Sequence, residues 1–335
     1  MTARAALSRL LTTLVTLFGV AVVVFVVIRV APGDPIAMML PPGATQEDID
    51  RLRALYGLDK SIFQQFWIWV AGILQGDFGT SISLRQDVLQ IVLGRLPATL
   101  ELATLALVMA VALGGALAVI GTLRRARRTE TAIDLWNGMT LSIPDFLWGL
   151  IFILVLGVVI PLFPVSGRIS PQLDPDYLTN FLLLEALIRF DGAVIADLLR
   201  HMTLPALALA LPLSAIIAQV LKQSLKEVMH LDYVMLAKAK GFSEVAVIFR
   251  EALRNAVLPT LTLVGVQFTF LIGGTVIVEK LFSYQGLGNL AIDAVINRDL
   301  PLIQGIVLLF SVLFIAINLA VDLAYAVLNP RLRHG

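Results

Sequence analysis

The sequence predicts an all-α integral membrane protein with six transmembrane helices, and three observations carry that prediction. Of 335 residues, 58% are hydrophobic and 15% charged, and mean hydropathy is +0.89. That leaves too little polar surface for a soluble globule of this length. Cutting at charged residues gives six uncharged windows, 10–28, 102–123, 146–167, 201–221, 255–278 and 300–321, each close to the ~20 residues that cross a ~30 Å hydrocarbon core at ~1.5 Å per residue. With no water to satisfy free backbone groups, such windows must be helical.

The first window follows Arg4 and Arg9 and precedes small residues, as a secretory signal would. Its apolar run is longer than the ~7–15 residues of a signal core, so it reads as the first transmembrane helix. Residues 31–101 are too long for a structureless connector and are expected to hold helices. Thr45 with Asp48 three residues on resembles a capping box, and Ile49, Leu52 and Leu55 follow at helical spacing, which predicts a short amphipathic helix over 46–56. Phe63, Phe66, Trp67, Trp69 and Val70 then form an aromatic segment. It has two readings: a helix lying at the membrane interface, where Trp is favoured, or an outer docking surface or pore cover.

Arg124, Arg125, Arg127 and Arg128 cluster at the end of the second window. Basic residues flanking a span stay cytoplasmic, so the expected topology is N-in and C-in, with 31–101, 168–200 and 279–299 outside and 124–145 and 222–254 inside. Pro144 interrupts the start of the third helix, Pro205 and Pro212 the fourth, and Gly273 with Gly274 the fifth. Small residues permit close helix approach in lipid and proline frees a carbonyl, so the fourth and fifth helices are either ordinary packing elements or bending helices along a pathway. Glu101, Asp145, Glu279 and Asp322 fall near window ends, where they read as capping or interfacial residues. Asp322 shares a face with Asn318 and Tyr325; its depth in the last helix calls for a basic partner, with Lys222 and Arg254 the nearest candidates.

Catalytic chemistry is thinly represented. The chain has no GxxxxGK[ST] loop to cradle ATP. His201, His230 and His334 are scattered without metal-ligand spacing, and no serine sits in a GxSxG elbow. Neither an enzyme, a cofactor in this chain nor a metal site is expected. The spans also lack central ion-coupling charges and detectable repeats, which argues against a self-contained secondary carrier. The absence of cysteine means that no disulfide supports the outer loops.

The most informative segment is the charged insert over 232–259, DYVMLAKAKGFSEVAVIFREALRNAVLP, lodged between the fourth and fifth windows. Residues 233–240 are good helix formers, preceded by Asp232 as N-cap and followed by Gly241 as stop. A second amphipathic segment is expected over 243–256. Helix, glycine, helix makes a stiff elbow, the shape needed for a partner to grip and displace as a rigid body.

PGDP at 32–35, GLDKS at 57–61, GDFGTS at 76–81, RLPATLELA at 95–103, PVSGR at 164–168, the insert, and NRDLPLIQGIVLL at 297–309 occur in one order. Together they resemble the permease subunits of bacterial ABC importers of the dipeptide and oligopeptide branch. NPRLRH at 329–334 closes the chain as it does in the dipeptide permease B subunits. Val234, Met235 and Leu236 depart from the basic or polar residues usual before the AKAKG element, and Gln285 stands where a proline is common.

The resemblance implies a type I ABC importer permease in the bacterial inner membrane. Residues 1–30 would hold the N-terminus and first helix, 31–101 the helical periplasmic loop, and 102–335 the core with an ATPase-coupling loop at 222–256. Implied partners are a second homologous permease, two ATP-binding subunits that hold ATP and Mg, a periplasmic substrate-binding protein and membrane lipid, with no nucleic acid. The solute would be a dipeptide or short peptide, with oligopeptides, glutathione or nickel complexes as alternatives. Coupling residues implied by position are Asp232, Tyr233, Ala237, Lys238, Ala239, Lys240, Gly241, Arg250, Leu253, Arg254, Asn255 and Pro259. The helices that flank the insert belong to the moving core in that family.

Overall fold

The structure, a computed structural model, describes residues 3–30, 45–55, 59–124 and 127–328. Among them the only β-pairing is an isolated antiparallel bridge between Thr80 and Asp87. In chain order the helices are α1 (Ala3–Val30), α2 (Gln46–Leu55), α3 (Ile62–Leu74), α4 (Val88–Leu123), α5 (Arg127–Ser142), α6 (Asp145–Val159), α7 (Leu182–Arg189), α8 (Gly192–Val228), α9 (Asp232–Ala239), α10 (Glu244–Leu281), α11 (Leu287–Ile296) and α12 (Leu300–Leu328). Two stretches wind as π-helix, Ile153–Val159 in α6 and Val247–Ala252 in α10.

Helices α4, α8, α10 and α12 are long and apolar enough to cross a membrane, and α5 with α6, bent by 99°, makes a fifth by length and composition. In α1 the described side chains form a shorter apolar run, Leu11–Val27. Five of the six windows therefore lie within single helices. The window at 146–167 does not: α6 starts after Pro144 and ends at Val159, because Pro161 and Pro164 have no N–H with which to continue it. The chain then folds back on α6, with Val165 so close to Gly157 that any side chain there would collide. Residues 124–145, expected as a cytoplasmic loop, are mostly helix, and α5 packs along α8 while burying Ile133, Asn137 and Thr140 at i, i+4, i+7. Glu101 is not an end residue; it lies in the body of α4. Helix α2 matches the amphipathic expectation to within a residue, whereas the Asp48 side chain and Tyr56 lie outside the described residues.

The chain divides into two compact units, residues 97–289 with 317–335 and residues 1–96 with 290–316. In the first, α8 is the spine; Leu198, Met202, Leu204, Ile217 and Leu225 are fully enclosed. Gly114 of α4 lets the backbones approach, since a Cβ there would lie 2.5 Å from the Ser214 carbonyl. The connections after α6 and α10 are tied down by carboxylates. Glu101 receives Arg168 Nη2 at 2.6 Å and the N–H groups of Leu183 and Leu184 at 2.8 and 3.2 Å. Asp197 receives the N–H and hydroxyl of Ser170 at 2.7 and 2.6 Å. Glu279, wholly buried, receives Thr99 Oγ1 at 2.7 Å and the N–H groups of Gly288 and Asn289 at 2.8 and 3.1 Å.

In the second unit, Phe66 of α3 packs edge-on against Phe25 of α1 with ring centroids 5.3 Å apart, and Trp69 lies 5.6 Å from the same ring. Ser61 and Gln64 close a capping box ahead of α3. Phe63 and Trp67 remain exposed, so the aromatic segment has one face packed and one open. The loop before α4 is held by Asp299, which accepts from Ser81 Oγ at 2.6 Å, Ser83 N at 2.9 Å and Ser83 Oγ at 2.7 Å. Burial works against ionisation of Asp299, but these donors prevail and hold its carboxyl below the usual carboxylate range.

That balance makes a prediction. A group that ionises more readily folded than unfolded contributes stability above the ordinary carboxylate range and loses it as pH falls through its lowered folded value. The protection of the Ser83 amide, its exchange rate compared with the intrinsic rate at the same pH, should therefore fall on acidification. Asp299→Ala, which strips the Ser81 and Ser83 donors and the Leu302 N–H of their acceptor, should cost about 1–3 kcal/mol in thermal unfolding in detergent.

Candidate functional site

The elbow between α8 and α10 is shorter and stiffer than its sequence suggests. Helix α8 runs on to Val228, α9 occupies Asp232–Ala239, and α10 begins at Glu244. The expected separate segment over 243–256 is not separate: after the Ser243 cap, whose Oγ accepts from Ala246 N at 3.3 Å, the chain winds through the π-turn directly into the span. Asp232 is not the N-cap. That position is Leu231, with no side-chain bond, and Asp232 sits in the first turn, where its charge complements the helix dipole.

Gly241 has φ 85°. Its N–H donates to the Lys238 carbonyl at 2.9 Å and the next N–H, Phe242, to Ala237 at 3.3 Å. Those two bonds form a Schellman stop, which needs a left-handed residue at this point.

One face of the elbow is built into the bundle. Val234 and Ala237 of α9 join Leu221, Leu225, Val228 and Met229 of α8 and Val247, Ile248, Ala252 and Ala256 of α10 in a single aliphatic cluster. Leu253 packs half-buried against it. Asn255 Nδ2 donates to Tyr233 Oη at 2.7 Å and Lys238 Nζ to the Met229 carbonyl at 3.3 Å, so α9 is also stapled to both neighbours. The opposite face is open and apolar: Met235 and Leu236 are each 56% exposed, Val245 52% and Phe249 56%, with Phe242 beside them. Ala239, Lys240, Arg250 and Arg254 are exposed, as is Pro259 within α10. Val234, Met235 and Leu236, which depart from the family pattern, thus divide between the two faces: Val234 points in, the other two out.

A clamp beside the elbow was overlooked in the sequence. Lys222 Nζ lies 2.6 Å from Asp134 and 3.5 Å from Glu130, and Lys226 Nζ 2.6 Å from Glu130, fastening α5 to the end of α8. The signal was there: acids at i, i+4 in one segment and lysines at i, i+4 in another. Lys222, a candidate partner for Asp322, is engaged here; the Asp322 side chain lies outside the described residues. Pro205 is buried and Pro212 half-buried within the continuous α8. Gly273 faces open space, and a Cβ on Gly274 would lie 3.7 Å from Asp145 Oδ2.

Residues 106–334 match the family described as binding-protein-dependent transport system inner membrane component, and residues 2–103 match the N-terminal membrane component of such systems. The chain is 38% identical over 324 residues to the di/tripeptide transport system permease protein DppB of Pseudomonas aeruginosa, with 95% of each covered. It is 38% identical over 334 residues to the dipeptide transport system permease protein DppB of Escherichia coli K12, with 98% of each covered. It is also 36% identical over 328 residues to the glutathione transport system permease protein GsiC of the same strain, again over 98% of each.

The Schellman stop gives a direct test. No atom stands within 4 Å of a Cβ at Gly241, so the cost of a side chain there is conformational alone. Gly241→Val should destabilise the elbow by about 1–2 kcal/mol, seen as faster protease cleavage between α9 and α10. Gly241→Asn, which tolerates the left-handed region, should lose less.

Proposed function

This chain belongs to the family of binding-protein-dependent transport system inner membrane components, and from that premise we propose that it forms half of the membrane pathway of an ATP-driven importer for dipeptides or short peptides. It pairs with a second, homologous permease and stands on two ATP-binding subunits, which hold ATP and Mg. A periplasmic binding protein delivers the solute. The chain crosses the bacterial inner membrane six times with both termini in the cytoplasm. Glutathione, itself a short peptide, is the second candidate solute, on the similarity to a glutathione permease.

The observation that carries the coupling role is the two-sided elbow. Its outer face offers Met235, Leu236, Phe242, Val245 and Phe249 to a partner, while its inner face is part of the cluster that joins α8 to α10. An ATPase that closes on nucleotide displaces whatever its groove holds. Because α9 ends in a fixed stop and is stapled at Tyr233 and Lys238, the displacement passes to two spans instead of dissipating in a loop. The exposed charges of Lys240, Arg250 and Arg254 flank this apolar face, so apolar burial and charge both contribute to the contact.

Reconstitution tests the whole reading: the chain with its companion permease, ATPases and binding protein should give ATP-dependent uptake of labelled dipeptide into proteoliposomes, and omission of any one should abolish it. Gly241→Val should leave ATP hydrolysis running while uptake falls; equal uptake in the variant refutes the coupling role. Orientation is tested by single cysteines, since the native chain has none. A cysteine at Gln46 should react with an impermeant thiol reagent in intact spheroplasts, and one at Ser243 only after permeabilisation.

A further inference from the structure

Asp145 is a carboxylate out of place. Helix α5 leaves the cytoplasmic clamp at Glu130 and Asp134 and runs along α8. Beyond the bend, Trp148 packs on Ala208 and Leu211, in the middle of the α8 span. Asp145 lies between these points, at the corner of the broken pair. On the other side its Oδ2 is directed at Gly274, seven residues before the end of α10 at Leu281 and hence roughly 10 Å of helix rise inside it. The carboxylate therefore sits within the spans, where ionised groups are costly and mark solute or ion routes.

Its bonding is half complete. Oδ1 accepts from the Phe146 N–H at 2.7 Å. Among the described residues no hydrogen bond reaches Oδ2, and no lysine, arginine or histidine forms an ion pair with Asp145. The side chain is half-exposed, and the surface it borders is open: Gly273 has nothing within 4 Å of a built Cβ, and Phe270 and Ile277, one helical turn to either side, are 66% and 55% exposed. Asp145 is the first residue of α6, behind the Pro144 N-cap and without a side-chain capping bond; its charge complements the helix dipole, and neither that nor the Phe146 bond occupies Oδ2.

The geometry points to Asp145 as a recognition point for the protonated amine of a solute in transit. This rests on the peptide-import reading above, in which every solute with a free N-terminus carries such a group. Gly273 and Gly274 keep the space before Oδ2 clear, and an ammonium arriving there gains a charge-assisted hydrogen bond with an acceptor whose second oxygen is already fixed. Phe270 and Ile277 beside it are exposed and apolar, so the carboxylate gives an ammonium at this depth its strong contact.

The test compares wild type, Asp145→Asn and Asp145→Glu, each co-expressed with the companion permease, ATPases and binding protein, reconstituted, and assayed for ATP-driven uptake of labelled dialanine. Asn keeps the volume and an oxygen for the Phe146 N–H but not the charge. The expected result is an Asn complex that purifies with wild-type stoichiometry yet imports at least tenfold more slowly, with Glu recovering part of the loss. Wild-type uptake in the Asn variant overturns the proposal. So does loss of the companion permease from the Asn complex, which would make the carboxylate an interface contact. If the wild-type complex imports no dialanine, the peptide-import reading itself fails, and this proposal with it.

Discussion

A carboxylate withdrawn from water is stable only where donors meet it, and the end of this chain opposite the elbow is arranged around carboxylates whose donors are largely backbone. Glu279 shows the logic in full. It stands near the end of α10, accepts from Gly288 N and Asn289 N at the start of α11, and takes a third bond from Thr99, whose oxygen in turn accepts from Leu287 N. The first turn of a helix exposes N–H groups and a partial positive charge, so Glu279 serves as a remote cap and α11 as its counter-charge. Gly286 follows from the same contact: any side chain there would strike the carboxylate. Glu101 repeats the device for α7 and adds Arg168. These bonds join RLPATLELA, PVSGR and the loop after α10, blocks far apart in sequence, and their order in the chain reflects one three-dimensional fastening.

The end that carries the elbow is held by other means. There the fastening is an aliphatic cluster plus partly exposed lysine–carboxylate pairs. Exposed ion pairs contribute little each, so the cluster dominates, and it is the cluster that joins α9 to both long helices. Apolar contacts lack direction, which lets them slide and re-pack where a bonded carboxylate has to break.

What the sequence made legible follows from which signals are local. The stop at Gly241, the helix at α2 and four of the spans are written in residues a few positions apart, and the structure has them, while the capping box at Ser61 and Gln64, equally local, was passed over. The third window misled because absence of charge sets a lower bound on solubility in lipid, not on helix continuity; two prolines and the Gly157–Val165 contact ended the helix early. Asp232 was a plausible cap by type, but the turn begins one residue sooner. Glu101 and Asp145 were read as end residues because charge was used to define the ends. Glu101 is inside α4, and its partner Arg168 is separated from it by 67 positions, a pairing that no local pattern encodes.

Helix α10 brings the two kinds of fastening together. Its outer end is fixed by the three bonds to Glu279, while its inner end passes through the π-turn at Val247–Ala252, where the extra residue loosens the regular i→i−4 ladder. A π-turn beside a packed cluster is a place where a helix can change its direction without losing backbone bonds. On the function proposed, a push received on the outer face of α9 enters α10 at this compliant end and meets resistance at the rigid one. Gly273 and Gly274 lie between the two, nearer the rigid end, so the part of α10 that borders Asp145 would rotate about Glu279 more than it would translate. A small displacement at the elbow then alters the room in front of the carboxylate while leaving the outer fastening intact.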